Sequence, residues 1–161
     1  MNEKTWLAQA LTAQRDALLN FCDALSDAQR TAPITSEGWN VQDNLGHLAY
    51  WESVTLEHLS QILKQGRPQP PPDANETDIN AQERAKRQTW QWTRLRAEFE
   101  NTRNAVIERV NGLSERDLQF FTPSPWSNTA PMLTVEALVR DDVLEHGREH
   151  FEAFRQAHAH H

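Results

Sequence analysis

Trp92, Leu95, Phe99, Thr102, Val106, Val110 and Leu113 follow one another at intervals of 3, 4, 3, 4, 4 and 3 residues. Only an α-helix brings such positions onto one face, and the alternation of 3 and 4 is the seam of a helix that packs against other helices. A stripe of this length cannot be covered by loops, so the chain must supply partners of similar length. Three other segments do. Leu7, Leu11, Leu18, Phe21 and Leu25 define a helix from about Glu3 to Asp27. Val41, Leu45, Leu48, Leu56, Leu59 and Leu63 define one from about Val41 to Lys64, with Asn40 as its N-cap and Asp43 in its first turn. A last helix runs from Thr134 to about Ala157.

The connections agree. Pro33 and Gly38 break the chain after the first helix, and "QGRPQPPPD" ends the second, because three consecutive prolines cannot continue a helix. The third helix starts near Asp78 and runs towards Asn111, with room for a break, and Gly112 stands where a C-cap belongs. Pro123, Pro125 and Pro131 keep "QFFTPSPWSNTAPM" out of regular structure, and its Phe120, Phe121 and Trp126 suggest a lid packed on the bundle. No strand pattern and no internal repeat is visible. The expectation is a single all-α domain over residues 1–157, a four-helix bundle with long proline-rich connections, followed by a disordered histidine-rich tail over 158–161. The connection before the third helix is long enough to cross along the bundle, so simple up-down topology does not follow.

Composition narrows the function classes. The formal net charge is −7, whereas nucleic-acid binding runs on phosphate neutralisation by Lys and Arg. The densest basic run, Arg84, Lys86 and Arg87, has acidic neighbours and reads as a solvated face. We therefore expect no nucleic-acid partner. No apolar stretch approaches the roughly 20 residues of a membrane span, and the N-terminus lacks a signal-peptide pattern. No membrane partner and a cytoplasmic location are the corresponding expectations. Cys22 is the only cysteine; it lies among Phe21 and Leu25 and reads as a buried structural thiol.

The histidines carry the chemistry. On a wheel of 100° per residue, Val135, Val139, Val143, Ala153 and Ala157 share one stripe, and His146 and His150 fall inside it. Burying a polar ring without a partner costs roughly 1–3 kcal/mol. A divalent ion bonded to both neutral imidazoles satisfies them at once, since i, i+4 spacing aims them at a common point. Bonds to carboxylates or tyrosines are the other way to accommodate them. Two ligands from one helix make a weak site, and the second helix offers His47 and His58, on a flank shared with Trp51 and Val54. They lie about 16 Å apart along the helix axis, so only one can join, and the wheel does not choose between them.

Asp142, one turn before His146, flanks the same stripe. A fourth ligand, a partner orienting an imidazole, a general base and a solvated helix carboxylate are the roles open to it; Glu149 flanks the stripe too. Of the six tryptophans, Trp92 and Trp6 read as core. Trp39 and Trp51 bracket His47 and are placed to wall a pocket around it. Trp90 faces away from Trp92, towards a loop or a subunit interface.

"GWNVQDNLGHLAYWE" (Gly38 to Glu52) resembles the Trp-x-x-x-(Asp/Glu)-x-(Leu/Val)-x-His-(Leu/Ile)-x-x-(Trp/His) signature of the DinB/YfiT-like superfamily, and "EHGREHFEAF" (Glu145 to Phe154) resembles its C-terminal His-x-x-x-His motif. The resemblance spans nearly the whole chain. It implies a four-helix bundle of one particular topology and a divalent metal, nickel or zinc most often, held by three histidines: His47, His146 and His150. It thus selects His47 over His58. Characterised relatives include metal-dependent transferases that use low-molecular-weight thiols. The partners implied are a small-molecule thiol and an electrophilic substrate. A thiol entering an open metal position loses its proton; water entering there becomes the nucleophile of a hydrolase. Two other readings stand beside the enzyme. One is a non-catalytic, stress-related bundle whose metal is structural or absent; the other is a metal-free ligand pocket lined by tryptophans. Trp90 and the habit of the family are compatible with a homodimer without fixing the oligomeric state.

Overall fold

The computed structural model describes residues 1–69, 75–127 and 129–159. Its helices, numbered in chain order, are α1 Glu3–Ala24, α2 Asp27–Thr31, α3 Val41–Gln65, α4 Glu76–Arg87, α5 Trp92–Gly112, α6 Glu115–Leu118, α7 Val135–Val139 and α8 His146–Ala157, with a π-helical segment, Arg140–Glu145, joining α7 to α8. A two-residue antiparallel pair, β1 Phe121–Thr122 with β2 Leu133–Thr134, closes the loop before α7. The four-helix bundle is made by α1, α3, α5 and the α7–π–α8 rod. The fold agrees with the seam read from the sequence: Leu95, Phe99, Val106, Val110 and Leu113 are buried.

Caps set the boundaries. Asn40 accepts from the Asp43 amide at 2.8 Å, while the Asp43 carboxylate accepts from the Asn40 amide at 3.2 Å, which fixes the first turn of α3. Ser26 and Gln29 form the same reciprocal pair, and that starts α2. This is why the first long helix stops at Ala24 instead of reaching Asp27. Gly66, at φ +79°, gives α3 its left-handed C-cap. The break foreseen in the third helix falls between Arg87 and Trp92.

Several expectations need correction. Trp6 is 44 % exposed and not core. Arg84 and Arg87 do not form a solvated face: Arg84 pairs with Asp43 at 2.9 Å and Arg87 with Glu98 at 2.7 Å, so they tie α4 to α3 and α5. Of that run only Lys86 is largely exposed. Phe120, Phe121 and Trp126 are all exposed, and of the three Trp126 meets rings of α3, edge-on to Trp51 and His58. At the C-terminus, His158 bonds the Phe154 carbonyl at 2.9 Å and meets the Phe21 ring edge-on. His160 and His161, the end of the predicted tail, lie outside the described residues.

The interior is layered. One apolar cluster gathers Leu7, Leu11, Leu59, Val106, Val110, Leu138, Val139 and Val143. A second gathers Leu18, Cys22, Leu45, Leu48, Phe99 and Phe154. Along each helix the two are separated by polar residues: Gln14 on α1, Glu52 on α3, Arg103 on α5 and the histidines on α8. Glu52 and Arg103 are 1 % and 0 % exposed and form an ion pair at 2.6 Å.

Candidate metal centre

His47, from the second turn of α3, and His146 and His150, from the start of α8, meet in this polar layer. Their candidate ligand nitrogens lie within 4.8 Å of one another. Nε2 of His146 is 3.1 Å from Nε2 of His47 and 3.1 Å from Nε2 of His150. All three rings are half-buried.

The surroundings determine where the protons sit. The Asn44 amide nitrogen donates to the Asn40 carbonyl at 2.8 Å. Its oxygen therefore faces Nδ1 of His150 at 2.8 Å, and that nitrogen must be the donor. The His146 ring is held by the Asp142 backbone carbonyl. The π segment makes this bond available, because the main-chain N–H of His146 bonds Asp141 and Val143 rather than Asp142. The side chain of Asn80 bonds His47, and its oxygen also accepts from the Trp51 indole at 2.8 Å. Trp39 and Trp51 meet the His47 ring edge-on at 5.8 and 6.4 Å, walling it as their placement in the sequence suggested.

Burial, reinforced by the neighbouring rings, pushes His150 down to about 3. Burial and His146 push His47 down to about 4, against a smaller upward pull from Asn80. Burial also lowers His146, against the upward pull of Glu149 and Glu76. At neutral pH the rings are uncharged. His146 and His150, each with one nitrogen donating outward, turn bare Nε2 lone pairs towards each other across 3.1 Å. Two acceptors with no proton between them repel, and a cation among them converts that repulsion into coordination. The donor set therefore fits a divalent metal. Neutral imidazole suits zinc, nickel, copper and iron alike, so the set does not name the ion. Among the described residues, no carboxylate or thiolate joins the group.

His58 is not part of it. It is buried at 5 % exposure, with its ring edge-on to Trp126 at 5.1 Å. Asp142 is not among the ligands either. Its carboxylate accepts the Trp126 indole N–H at 2.7 Å and is pushed up to about 6, chiefly by burial. Ala153 and Ala157, placed on the buried stripe by a uniform wheel, are exposed; the stripe continues through Gly147 and Phe154. The extra residue per turn of the π segment advances the buried face by one position.

Two cavities border the triad. The wider, about 700 Å³, has His47, His150 and Asn44 in its wall with Trp39, Thr77 and Arg84. The narrower, about 380 Å³, has His146 in its wall with Trp51, Thr55, Trp126, Asp142 and Glu149. Asn44 and Asn80, which bond His150 and His47, were not picked out from the sequence, and neither were Gln14, Glu52, Arg103 and Gly147 in the layer beside them. The available signals were a charged residue inside an apolar stripe, as at Arg103, and a glycine inside a helix.

Comparison with known proteins agrees with the fold. The sequence model of the DinB superfamily matches residues 10–153. No curated protein matches the chain in sequence. Among solved structures, an uncharacterised protein from Clostridium difficile 630 shares 13% identity, over 97% of this chain and 95% of that one, with a TM-score of 0.75. YfiT from Bacillus subtilis, described as a probable metal-dependent hydrolase with an unusual four-helix bundle topology, shares 17% identity over 96% of this chain and 85% of that one, with a TM-score of 0.73. The colibactin self-resistance protein ClbS, solved with a double-stranded DNA, shares 13% identity over 96% and 94%, with a TM-score of 0.76. At these identities the likeness is one of fold.

Proposed function

The chain belongs to the DinB superfamily, and from that premise we propose that it is a metal-dependent enzyme in which His47, His146 and His150 hold a divalent ion, nickel or zinc, that activates a small thiol or water against a small electrophile. The observation that carries this reading is the convergence of three neutral imidazoles, with His146 Nε2 3.1 Å from Nε2 of each of the other two and each ring held from outside the group. Bound there, the ion would supply Lewis acidity and favour the deprotonated form of an entering thiol or water.

The chain's own residues would do the rest. Asn44, Asn80 and the Asp142 carbonyl hold the imidazoles in orientation. Trp51 and Trp126, whose rings meet edge-on at 5.5 Å, wall the narrow cavity. The Asp142 carboxylate shares that cavity with His146, as do Glu76, Asp141 and Glu149, and is our candidate to take the proton that the nucleophile gives up. Room for reactants exists on both sides of the triad. A three-ligand set supports catalysis over a structural role, since structural zinc sites are normally closed by four protein ligands. The likeness to YfiT, described as a probable metal-dependent hydrolase, supports the hydrolytic branch.

The test is a screen of metal-loaded protein against activated esters and amides in water, and against a chlorinated aromatic with and without added cysteine or glutathione. Turnover that requires the metal and disappears in His47→Ala is the expected result. A metal-loaded protein inert in both arms supports the non-catalytic reading.

A further inference from the structure

The apolar clusters account for most of the buried interior, but not for the charge between them. Arg103 is fully buried, and every nitrogen of its guanidinium is bonded. Nε and NH2 grip the Glu52 carboxylate at 2.6 to 3.2 Å, and NH1 donates to the Leu11 carbonyl at 3.2 Å and to Gln14 Oε1 at 2.9 Å. That contact orients the Gln14 amide, whose nitrogen donates to the Leu144 carbonyl at 2.8 Å. Leu144 is in the π segment, two residues before His146. The chain of contacts thus runs from α3 through α5 and α1 into the backbone that carries two of the three ligands. Glu52 is itself five residues from the third, His47.

Gly147 shows how closely the rod is seated on this network. A Cβ on Gly147 would fall well inside contact distance of Gln14 Oε1 and 3.2 Å from Arg103 NH2. Gln14 could retreat only by releasing both Arg103 and the Leu144 carbonyl. Glycine in a helix interior costs about 1 kcal/mol relative to alanine, and the close approach is the reason for it here.

We propose that Gln14, Arg103 and Glu52, with Gly147 as their seat, are positioning residues for the metal: the Glu52–Arg103–Gln14 chain ends on the Leu144 carbonyl and sets the register of His146 and His150 against His47. The network touches no reactant and acts through the ligands. The inference rests on the metal reading above. Orienting groups of this kind typically change metal affinity by about 10–100-fold when removed.

Cobalt(II) is the probe, because its visible d–d bands report ligand geometry directly. Gln14→Met keeps the volume, loses no charge and removes both hydrogen bonds; Gly147→Ala drives the Gln14 amide away from Arg103 and the Leu144 carbonyl. Val110→Ala, in the apolar cluster away from the triad, is the control for general destabilisation. Each is titrated with cobalt(II) alongside a thermal melt. We expect Gln14→Met and Gly147→Ala to bind cobalt(II) at least about 10-fold more weakly, with altered d–d bands, and Val110→Ala to melt lower with affinity and spectrum unchanged. If Gly147→Ala does not fold, Gln14→Met decides alone. Wild-type affinity and spectrum in Gln14→Met overturn the inference and leave the metal reading intact, as does an equal loss in Val110→Ala. Failure of the wild type to bind cobalt(II) overturns both.

Discussion

The apolar ends of the bundle and its polar middle layer are built on different terms. At the ends, Leu18, Phe99 and Phe154 on one side and Leu11, Val106 and Val139 on the other contribute through the area they bury and the space they fill. Their effects are local and roughly proportional to volume. In the middle, Glu52, Arg103, Gln14 and the three histidines contribute only as a set, since each polar group depends on a partner from another helix. A bundle chosen for stability alone would do as well with hydrophobic residues there, because a buried ion pair seldom outperforms them. The polar layer is therefore where the fold serves something other than itself.

The sharpest way to break this comparison is to remove one charge. Arg103→Met leaves the Glu52 carboxylate buried and unpaired, and should cost about 3–5 kcal/mol in urea denaturation. The double change Glu52→Leu with Arg103→Met should recover most of that loss. If the two single losses simply add, the layer is not coupled. Next, Leu18→Ala, at a fully buried apolar position, should cost about 2–5 kcal/mol and leave metal affinity unchanged, as measured by denaturation and metal titration in parallel. Zinc or nickel at about 100 times its dissociation constant should stabilise the wild type by about 2.7 kcal/mol, and His146→Ala with His150→Ala should abolish that shift in a thermal melt. The smallest effect belongs to Cys22. Burial pushes its thiol up to about 12, and the thiolate is the reactive form. Iodoacetamide at about pH 8 should leave the folded protein unlabelled and label it once denatured.

The sequence revealed the apolar ends well and the middle layer only in part. Helix-period stripes announce covered faces, so four long helices could be read directly. His146 and His150 were visible because they interrupt such a stripe. The choice of His47 over His58 came from the superfamily resemblance, and the structure brings His47 within 3.1 Å of His146 while setting His58 against Trp126. The partners of the histidines were not legible. Asn44, Asn80 and Gln14 are ordinary surface residue types whose roles depend on contacts up to 130 positions away. The π segment was hidden too, because a wheel assumes one uniform rotation per residue. It displaced the buried stripe from Ala153 to Phe154 and freed the Asp142 carbonyl for the His146 ring.

The central claim is that three imidazoles, and not the histidine-rich C-terminus, hold one divalent ion. Elemental analysis of metal-replete wild type and of the His47→Ala, His146→Ala, His150→Ala triple variant, combined with X-ray absorption at the metal edge, tests it directly, because both proteins carry the same His158, His160 and His161. The account predicts one ion per chain with three imidazole ligands in the wild type, and its loss in the variant. Equal metal content in the two proteins, or a wild-type absorption spectrum without imidazole scattering, would contradict it.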